Sequence, residues 1–189
     1  MAKSENNEVM FGARGRVGNL VVFKNFGNNQ TVIAKRPRRP ENPVYTAKQI
    51  EVKQKFREAV VYAKGVISNT DLAAIYQMFA KPGTSVYNLA LADYCKSPEI
   101  TLINASGYQG QIGNQITVRA IDNFRVTEVK VSIYDTVDAL LESGLAILSA
   151  NNLDWVYETS SLNTSLAGTK ITAEAKDMPG NSTVETITL

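Results

Sequence analysis

The last ninety or so residues alternate between apolar and polar positions with a period of two, which is typical of strands with one buried face. In the clearest case Val129, Val131 and Ile133 share one face, and polar residues alternate with them. Turn-forming residues separate the alternating segments. The pattern predicts seven strands, at residues 100–105, 115–121, 127–134, 139–148, 154–159, 169–176 and 183–189.

Seven short strands in a segment of this length are typical of an immunoglobulin-like sandwich. Trp155 lies in one alternating segment beside Val156 and Tyr157, so we expect its ring in the core. The residues from Asp177 to Asn181 contain Pro and Gly and predict a turn between the last two strands. The sandwich would be held by hydrophobic burial alone, because this segment contains no cysteine pair.

Residues 44–98 instead show the 3.6-residue period of helices. Thr46 and Gln49 form a capping-box pattern, which predicts that a helix begins there. A second helix is predicted over 71–80, and a third begins at Thr84 or Ser85 and ends before Pro98. The apolar stripe expected to face a core on the first helix is Val52, Phe56, Ala59, Val60, Ala63 and Ile67.

Residues 1–43 predict a β-hairpin followed by an extended linker. Segments 20–24 and 31–35 are rich in β-branched and aromatic residues and flank a Gly/Asn turn, and the linker contains three prolines. An isolated hairpin is marginally stable, so we expect it to lie on another surface. The predicted fold class is α+β, with a docking segment and linker at 1–43, a helical region at 44–98 and an all-β immunoglobulin-like sandwich at 99–189.

Charge is unevenly distributed, although the net charge is only +2. Residues 1–65 contain 13 basic and 5 acidic side chains, whereas residues 99–189 contain 5 and 11. This polarity favours docking on an acidic protein surface or head-to-tail packing of copies. The candidate docking residues are Arg14, Arg16, Lys24, Lys35, Arg36, Arg38 and Arg39.

Two other interpretations of this basic cluster remain open. It can bind nucleic acid through phosphate contacts, with Phe23, Phe26 and Tyr45 stacking on bases, although no recognition-helix or RNA-binding signature accompanies it. It can also be an ordinary solvated surface.

Catalytic chemistry is not expected. The chain has no histidine, which removes the commonest general base and metal ligand, and its one cysteine has no disulfide partner. Cys95 is predicted to be a buried thiol in a protein made in a reducing compartment. No segment is apolar enough to span a membrane, and residues 1–8 have no apolar signal region. We therefore predict a non-enzymatic protein without a membrane partner.

No cofactor or metal is expected either. The triplets Gly12/Gly15/Gly18 and Gly107/Gly110/Gly113 lack phosphate-loop spacing and predict turns and a close backbone approach within an assembly. Five aspartates near strand ends are predicted to form turns on a solvated rim, with a Ca²⁺ site as the alternative. They are Asp122, Asp135, Asp138, Asp154 and Asp177.

Two resemblances give these elements a setting. Residues 11–67, with Gly15-Arg16-Val17-Gly18, the basic Pro-containing linker and a helix carrying Lys55-Phe56, resemble an uncharacterised family of short proteins from Bacteroidota and their phages. The C-terminal segment, with its A-x-D-x-x-G-N ending at Asn181, is similar to immunoglobulin-like modules on phage capsid and tail proteins.

The resemblances imply a phage virion structural protein, an auxiliary or decoration protein of the capsid as in crAss-like phages. Its partners would be the major capsid protein or another virion protein, together with copies of itself, and it would be assembled into virions in the bacterial host cytoplasm. The alternatives are a nucleic-acid-binding protein and a host-surface adhesion module whose sandwich binds glycan.

Overall fold

The computed structural model describes residues 2–4, 12–25, 31–36, 43–81 and 83–189. These residues form three helices and three four-stranded antiparallel sheets, so the fold is mixed and mostly β. The chain divides into two compact units, residues 1–46 and residues 47–189, and the helices belong to the second unit. No helix in the described ranges is long and apolar enough to cross a membrane.

The first unit is a sheet with the order β1-β4-β3-β2. Its strands are β1 (Ala2–Ser4), β2 (Gly15–Val17), β3 (Val21–Asn25) and β4 (Thr31–Lys35). The predicted hairpin is confirmed as the β3–β4 pair, but it is not isolated, because a strand pairs with each of its outer edges. Gly18, with a φ of 57°, permits the tight turn that joins β2 to β3. Sheets of three or more strands are more stable than a hairpin.

Three helices open the second unit: α1 (Ala47–Ser68), α2 (Thr70–Met78) and α3 (Val86–Cys95). The Asn69 side chain accepts hydrogen bonds from the backbone of the first turn of α2, and the Ser85 hydroxyl does the same for α3. The sequence predicted the start of α1 correctly, that of α2 to within one residue and that of α3 to within one or two residues.

The predicted apolar stripe of α1 is only partly correct. Ala59, Ala63 and Val66 are buried, whereas Val52 and Phe56 are 68% and 52% exposed. Ile67 is also exposed, because Val66 rather than Ile67 continues the buried face. Val52 and Phe56 are exposed because α1 is longer than the helices that pack on it: α1 has 22 residues, whereas α2 and α3 have 9 and 10 and cover only part of it.

The remaining strands form two sheets. In chain order they are β5 (Glu99–Asn104), β6 (Gln115–Ile121), β7 (Val126–Tyr134), β8 (Leu140–Leu145), β9 (Ile147–Leu148), β10 (Asp154–Glu158), β11 (Lys170–Asp177) and β12 (Ser182–Thr188). One sheet has the order β5-β6-β10-β9 and the other the order β12-β11-β7-β8. The predicted boundaries are confirmed to within one or two residues, except that the segment 139–148 forms two strands.

Both sheets contribute to one hydrophobic core. Trp155 is 9% exposed and belongs to that core, as the alternation predicted. The chain passes from one sheet to the other at Ala146, whose N–H donates to the Val129 carbonyl oxygen at 2.8 Å. A Cβ on Gly144, in β8, would lie 2.8 Å from the Tyr157 ring, so a larger residue at this position would require the ring to shift.

The helices pack against the turns of these sheets. The Phe124 ring, which follows β6, stacks on Tyr76 with 4.3 Å between ring centroids and meets Phe79 edge-on at 5.1 Å. The Thr183 hydroxyl also donates to the Pro98 carbonyl oxygen at 2.6 Å. Aromatic and hydrogen-bonding contacts therefore join the two parts of this unit.

The prediction that Cys95 is buried is wrong. Cys95 is exposed at the end of α3. The inward face of this helix carries Ala90 and Asp93, which are three residues apart and both fully buried. Cys95 lies two residues beyond Asp93 and therefore points away from that face.

Candidate functional site

Most of the predicted docking residues lie within the described part of the first unit. All of these are exposed, on β2, β3 and β4 or beside them: Arg14, Arg16, Lys24, Lys35 and Arg36. Arg38 and Arg39 lie outside the described residues.

The turn between β2 and β3 holds two guanidinium groups together. The Nε atom of Arg16 donates to the Gly18 carbonyl oxygen at 2.8 Å, and its Nη2 atom donates to Asn19 Oδ1 at 3.2 Å. Arg36 Nη1 donates to the same Asn19 oxygen at 2.7 Å, and its backbone N–H donates to the Leu20 carbonyl oxygen. One amide oxygen thus anchors two like charges at an exposed turn.

Pairing across the strands shows which basic residues share a face, because directly opposite residues point to the same side of a sheet. Arg16 pairs with Val22, and Lys24, two residues further along β3, lies on that same face. Lys35 pairs with Val21 and therefore lies on the other face. The sheet does not gather all the predicted docking residues onto one side.

No carboxylate neutralises this basic group within the described residues. The four ion pairs found there all lie between residues 119 and 176. The three acidic residues of the first unit, Glu5, Glu8 and Glu41, lie outside the described residues.

Three of the five candidate rim aspartates have ordinary structural roles, but of these three only Asp135 forms a turn through its side chain, as predicted. Asp135 accepts hydrogen bonds from its own turn, and Asp138 pairs with Lys170 at 2.6 Å. Asp154 forms a two-pronged contact with Arg119, at 2.7 and 3.0 Å. That guanidinium lowers the pKa of Asp154 from its usual value.

The other two aspartates meet a third one that the sequence did not suggest. One carboxylate oxygen each from Asp93, Asp122 and Asp177 lies within 4.8 Å of the other two. Asp177 is satisfied by its turn, since it accepts bonds from the Gly180 N–H and from both the backbone and side-chain nitrogens of Asn181, at 2.6–2.8 Å. We call these three aspartates the junction triad, because α3, the β6–β7 turn and β11 each supply one of them.

Asp93 is the most buried member of the junction triad, with no exposed surface. Its Oδ2 atom accepts a hydrogen bond from the Tyr76 hydroxyl at 2.5 Å, and that hydroxyl also contacts the Tyr62 hydroxyl at 2.9 Å. The pKa of Asp93 is raised to about 7, chiefly by burial. The hydrogen bond from the Tyr76 hydroxyl opposes this rise, whereas the charges of Asp122 and Asp177 and a hydrogen bond with Asp122 contribute to it.

Two oxygens of the triad have no hydrogen-bond donor. They are Oδ1 of Asp93 and Oδ1 of Asp122, and both atoms are buried. Carboxylate oxygens without softer ligands suit hard cations such as Ca²⁺ and Mg²⁺. The sequence signal for this cluster was an acidic residue on the apolar face of α3, three residues after Ala90.

The glycine triplets lie in turns and bends, as predicted, except for Gly15, which begins strand β2. Gly12, Gly15, Gly18, Gly110 and Gly113 all have positive φ angles. Strands β3 and β6, rather than helices, follow the two triplets, so neither resembles a phosphate-binding loop.

Comparisons of the chain with protein-family models, curated proteins and solved structures find no match.

Proposed function

We propose that this chain is a structural protein of a bacteriophage virion, an auxiliary or decoration protein of the capsid that docks through the basic residues of its first unit. The observation that carries the proposal is the pair of exposed guanidinium groups, Arg16 and Arg36, fixed on Asn19 without a carboxylate partner in the described residues. The resemblances in the sequence supply the virion as the setting.

Fixed guanidinium groups suit an acidic protein surface. Arginine presents several N–H donors in a planar fork that matches carboxylate geometry. An exposed ion pair contributes only about 0.2–1 kcal/mol, but charges held together in one place act jointly and lose less side-chain entropy on docking. The partner would be the major capsid protein, another virion protein or the second unit of another copy.

Charge supports docking between copies as well. Residues 1–46 carry 8 basic and 3 acidic side chains, whereas residues 47–189 carry 12 and 15. The units thus have opposite net charges, which favours contact between the first unit of one copy and the second unit of the next.

We further propose that residues 99–189 form an immunoglobulin-like module. When the strands from β5 to β12 are named A, B, C, C′, D, E, F and G, the sheets have the orders A-B-E-D and G-F-C-C′. These are the sheet orders of immunoglobulin-type sandwiches. Such a module would project from the particle or bridge to a neighbour.

The alternative functions have less support. Phe23 lies on the face opposite Arg16 and Lys24, although it shares its face with Lys35, and Phe26 lies outside the described residues. The Phe23 ring therefore does not lie beside the fixed guanidinium group of Arg16. Glycan adhesion would be supported by exposed aromatic rings, yet the five aromatic residues of the fully described segment 99–189 are all buried or half-buried. They are Tyr108, Phe124, Tyr134, Trp155 and Tyr157.

The test is incorporation of the full chain into particles. The double variant Arg16→Gln/Arg36→Gln should be depleted at least tenfold from purified virions, because it removes both fixed charges. The matched control Lys55→Gln/Arg57→Gln removes the same charge from α1 and should be incorporated normally. Arg16→Lys/Arg36→Lys keeps the charge but loses the fork, so an intermediate depletion is expected.

Nucleic-acid binding predicts a different result. The full chain would bind duplex DNA with an affinity that falls steeply with added salt, and the glutamine pair would reduce that slope. Strong DNA binding at about 0.15 M salt, together with normal incorporation of the glutamine pair, would refute the docking proposal.

A further inference from the structure

We propose that the junction triad, Asp93, Asp122 and Asp177, is a Ca²⁺ site that holds the helices against the sheets of the second unit. This inference is independent of the proposed virion function. It rests on the convergence of three carboxylates, on two buried oxygens without donors and on the absence of a compensating cation in the described residues.

The spacing of the oxygens fits one ion. Three points that lie within 4.8 Å of one another always have a common point no more than about 2.8 Å from each, close to the Ca²⁺–oxygen distance of 2.3–2.6 Å. Mg²⁺ requires about 2.0–2.1 Å and near-ideal octahedral geometry, so it is the more demanding ion for three carboxylates whose positions are set by the fold. Water would complete the coordination, and Asp122 lines an open cleft that supplies an entry path.

Burial favours a bound cation at the junction triad. Carboxylates removed from water are costly unless they are paired, hydrogen-bonded or bound to a metal. The turn donors satisfy Asp177, but Oδ1 of Asp93 and Oδ1 of Asp122 have none. If Asp93 and Asp122 shared one proton, the three carboxylates would still carry two negative charges. A bound Ca²⁺ would leave only one.

The position of the site gives it a structural effect. Asp93 belongs to α3, while Asp122 and Asp177 belong to the sheets, so an ion bound by all three would add a link beside the Phe124 contacts. A ligand that binds only the assembled unit stabilises it by mass action. Metal binding and docking of the helices should therefore be coupled.

The test uses the full chain, freed of metal with a chelator and titrated with CaCl₂ or MgCl₂ near neutral pH. Trp155 fluorescence follows thermal unfolding, and calorimetry gives the stoichiometry. We expect one Ca²⁺ per chain and a rise in melting temperature of about 5–10 °C at 100 times the dissociation constant. Asp93→Asn and Asp122→Asn should both abolish this rise.

The matched control is Asp138→Asn, which removes the same charge from an exposed turn in the same unit. Asn tolerates the positive φ of 61° at this position, and the variant should keep the full response to Ca²⁺. Asp122→Asn keeps the test decisive if Asp93→Asn fails to fold, since Asp122 is only half-buried.

Three results would overturn the proposal. The first is no change in melting temperature up to about 10 mM Ca²⁺, which is well above the dissociation constants of weak sites. In that case the pH is lowered below 7 without metal. If this stabilises the unmodified chain but not Asp93→Asn, a shared proton replaces the ion. The second is an equal response in all variants, which would place the ion elsewhere. The third is an equal response to Mg²⁺, which would remove the assignment to Ca²⁺.

Discussion

Phe124 offers the sharpest test of whether the helices and sheets of the second unit unfold together. Phe124→Ala removes the stacked contact with Tyr76 and the edge-on contact with Phe79. Each aromatic pair contributes about 0.5–1.5 kcal/mol beyond burial, and a half-buried Phe ring contributes about half of the 1.5–3 kcal/mol of a fully buried one. The expected loss in the free energy of unfolding is therefore about 2–4 kcal/mol.

The chain provides its own probes for this experiment. Trp155, the single tryptophan, reports on the core between the sheets, and circular dichroism at the helical band reports on α1 to α3. In urea, both signals of Phe124→Ala should shift to the same lower midpoint, because the ring connects the two parts. Phe124→Leu keeps most of the apolar volume and should lose only about 1–2 kcal/mol.

Phe56→Ala is the matched control, since that ring is 52% exposed on α1 and its loss should change the stability by less than about 0.5 kcal/mol. The coupling argument fails if the helical signal of Phe124→Ala is lost at lower urea while the Trp155 midpoint stays at its original value.

Three further predictions concern the sheets and their loops. Gly110→Ala should destabilise the chain by about 2–5 kcal/mol, because its Cβ would lie 2.1 Å from the Asn163 carbonyl oxygen and its φ is positive; urea unfolding measures this, and a neutral result would contradict the close approach. Trp155→Ala should cost about 3–5 kcal/mol in the same assay, and a loss below about 1 kcal/mol would contradict core packing. The pKa of Asp154 is lower in the folded state than its unfolded value of about 3.9, so the ionised carboxylate stabilises the fold above pH 3.9 and this contribution is lost as the pH falls through the folded value. Asp154→Asn should therefore flatten the acid side of a plot of melting temperature against pH. An unchanged plot would show that the Arg119 pair contributes nothing.

Local patterns explain why much of the second unit could be predicted from sequence. Around Val131 and Ile171 apolar residues occupy every second position, and in the structure these residues are fully buried. Because alternate residues of a strand point to opposite faces, the apolar set by itself identifies the buried face. The turn from Asp177 to Asn181 was likewise predictable, since its aspartate satisfies nearby N–H groups within the same few residues.

Features that depend on distant contacts could not be predicted in this way. Nothing near Ala2 or Gly15 in the sequence indicates that each starts a strand flanking the β3–β4 hairpin. The exposure of Phe56 follows from the shortness of α2 and α3, not from the pattern of α1. The junction triad joins Asp93 to residues far along the chain, so only the fold brings those carboxylates together.

The exchange of the chain between sheets at Ala146 also bears on the rate of folding. It allows β10 to pair with β6, and a second exchange between β10 and β11 returns the chain to β7. Pairs such as Val126 with Asp177 therefore close long loops before they gain any stabilising contact. Domains dominated by such non-local pairings have high contact order and fold in milliseconds to seconds. During that interval the apolar faces of the unfinished sheets are open to neighbouring chains, which makes dilute, slow refolding preferable when the protein is prepared in quantity.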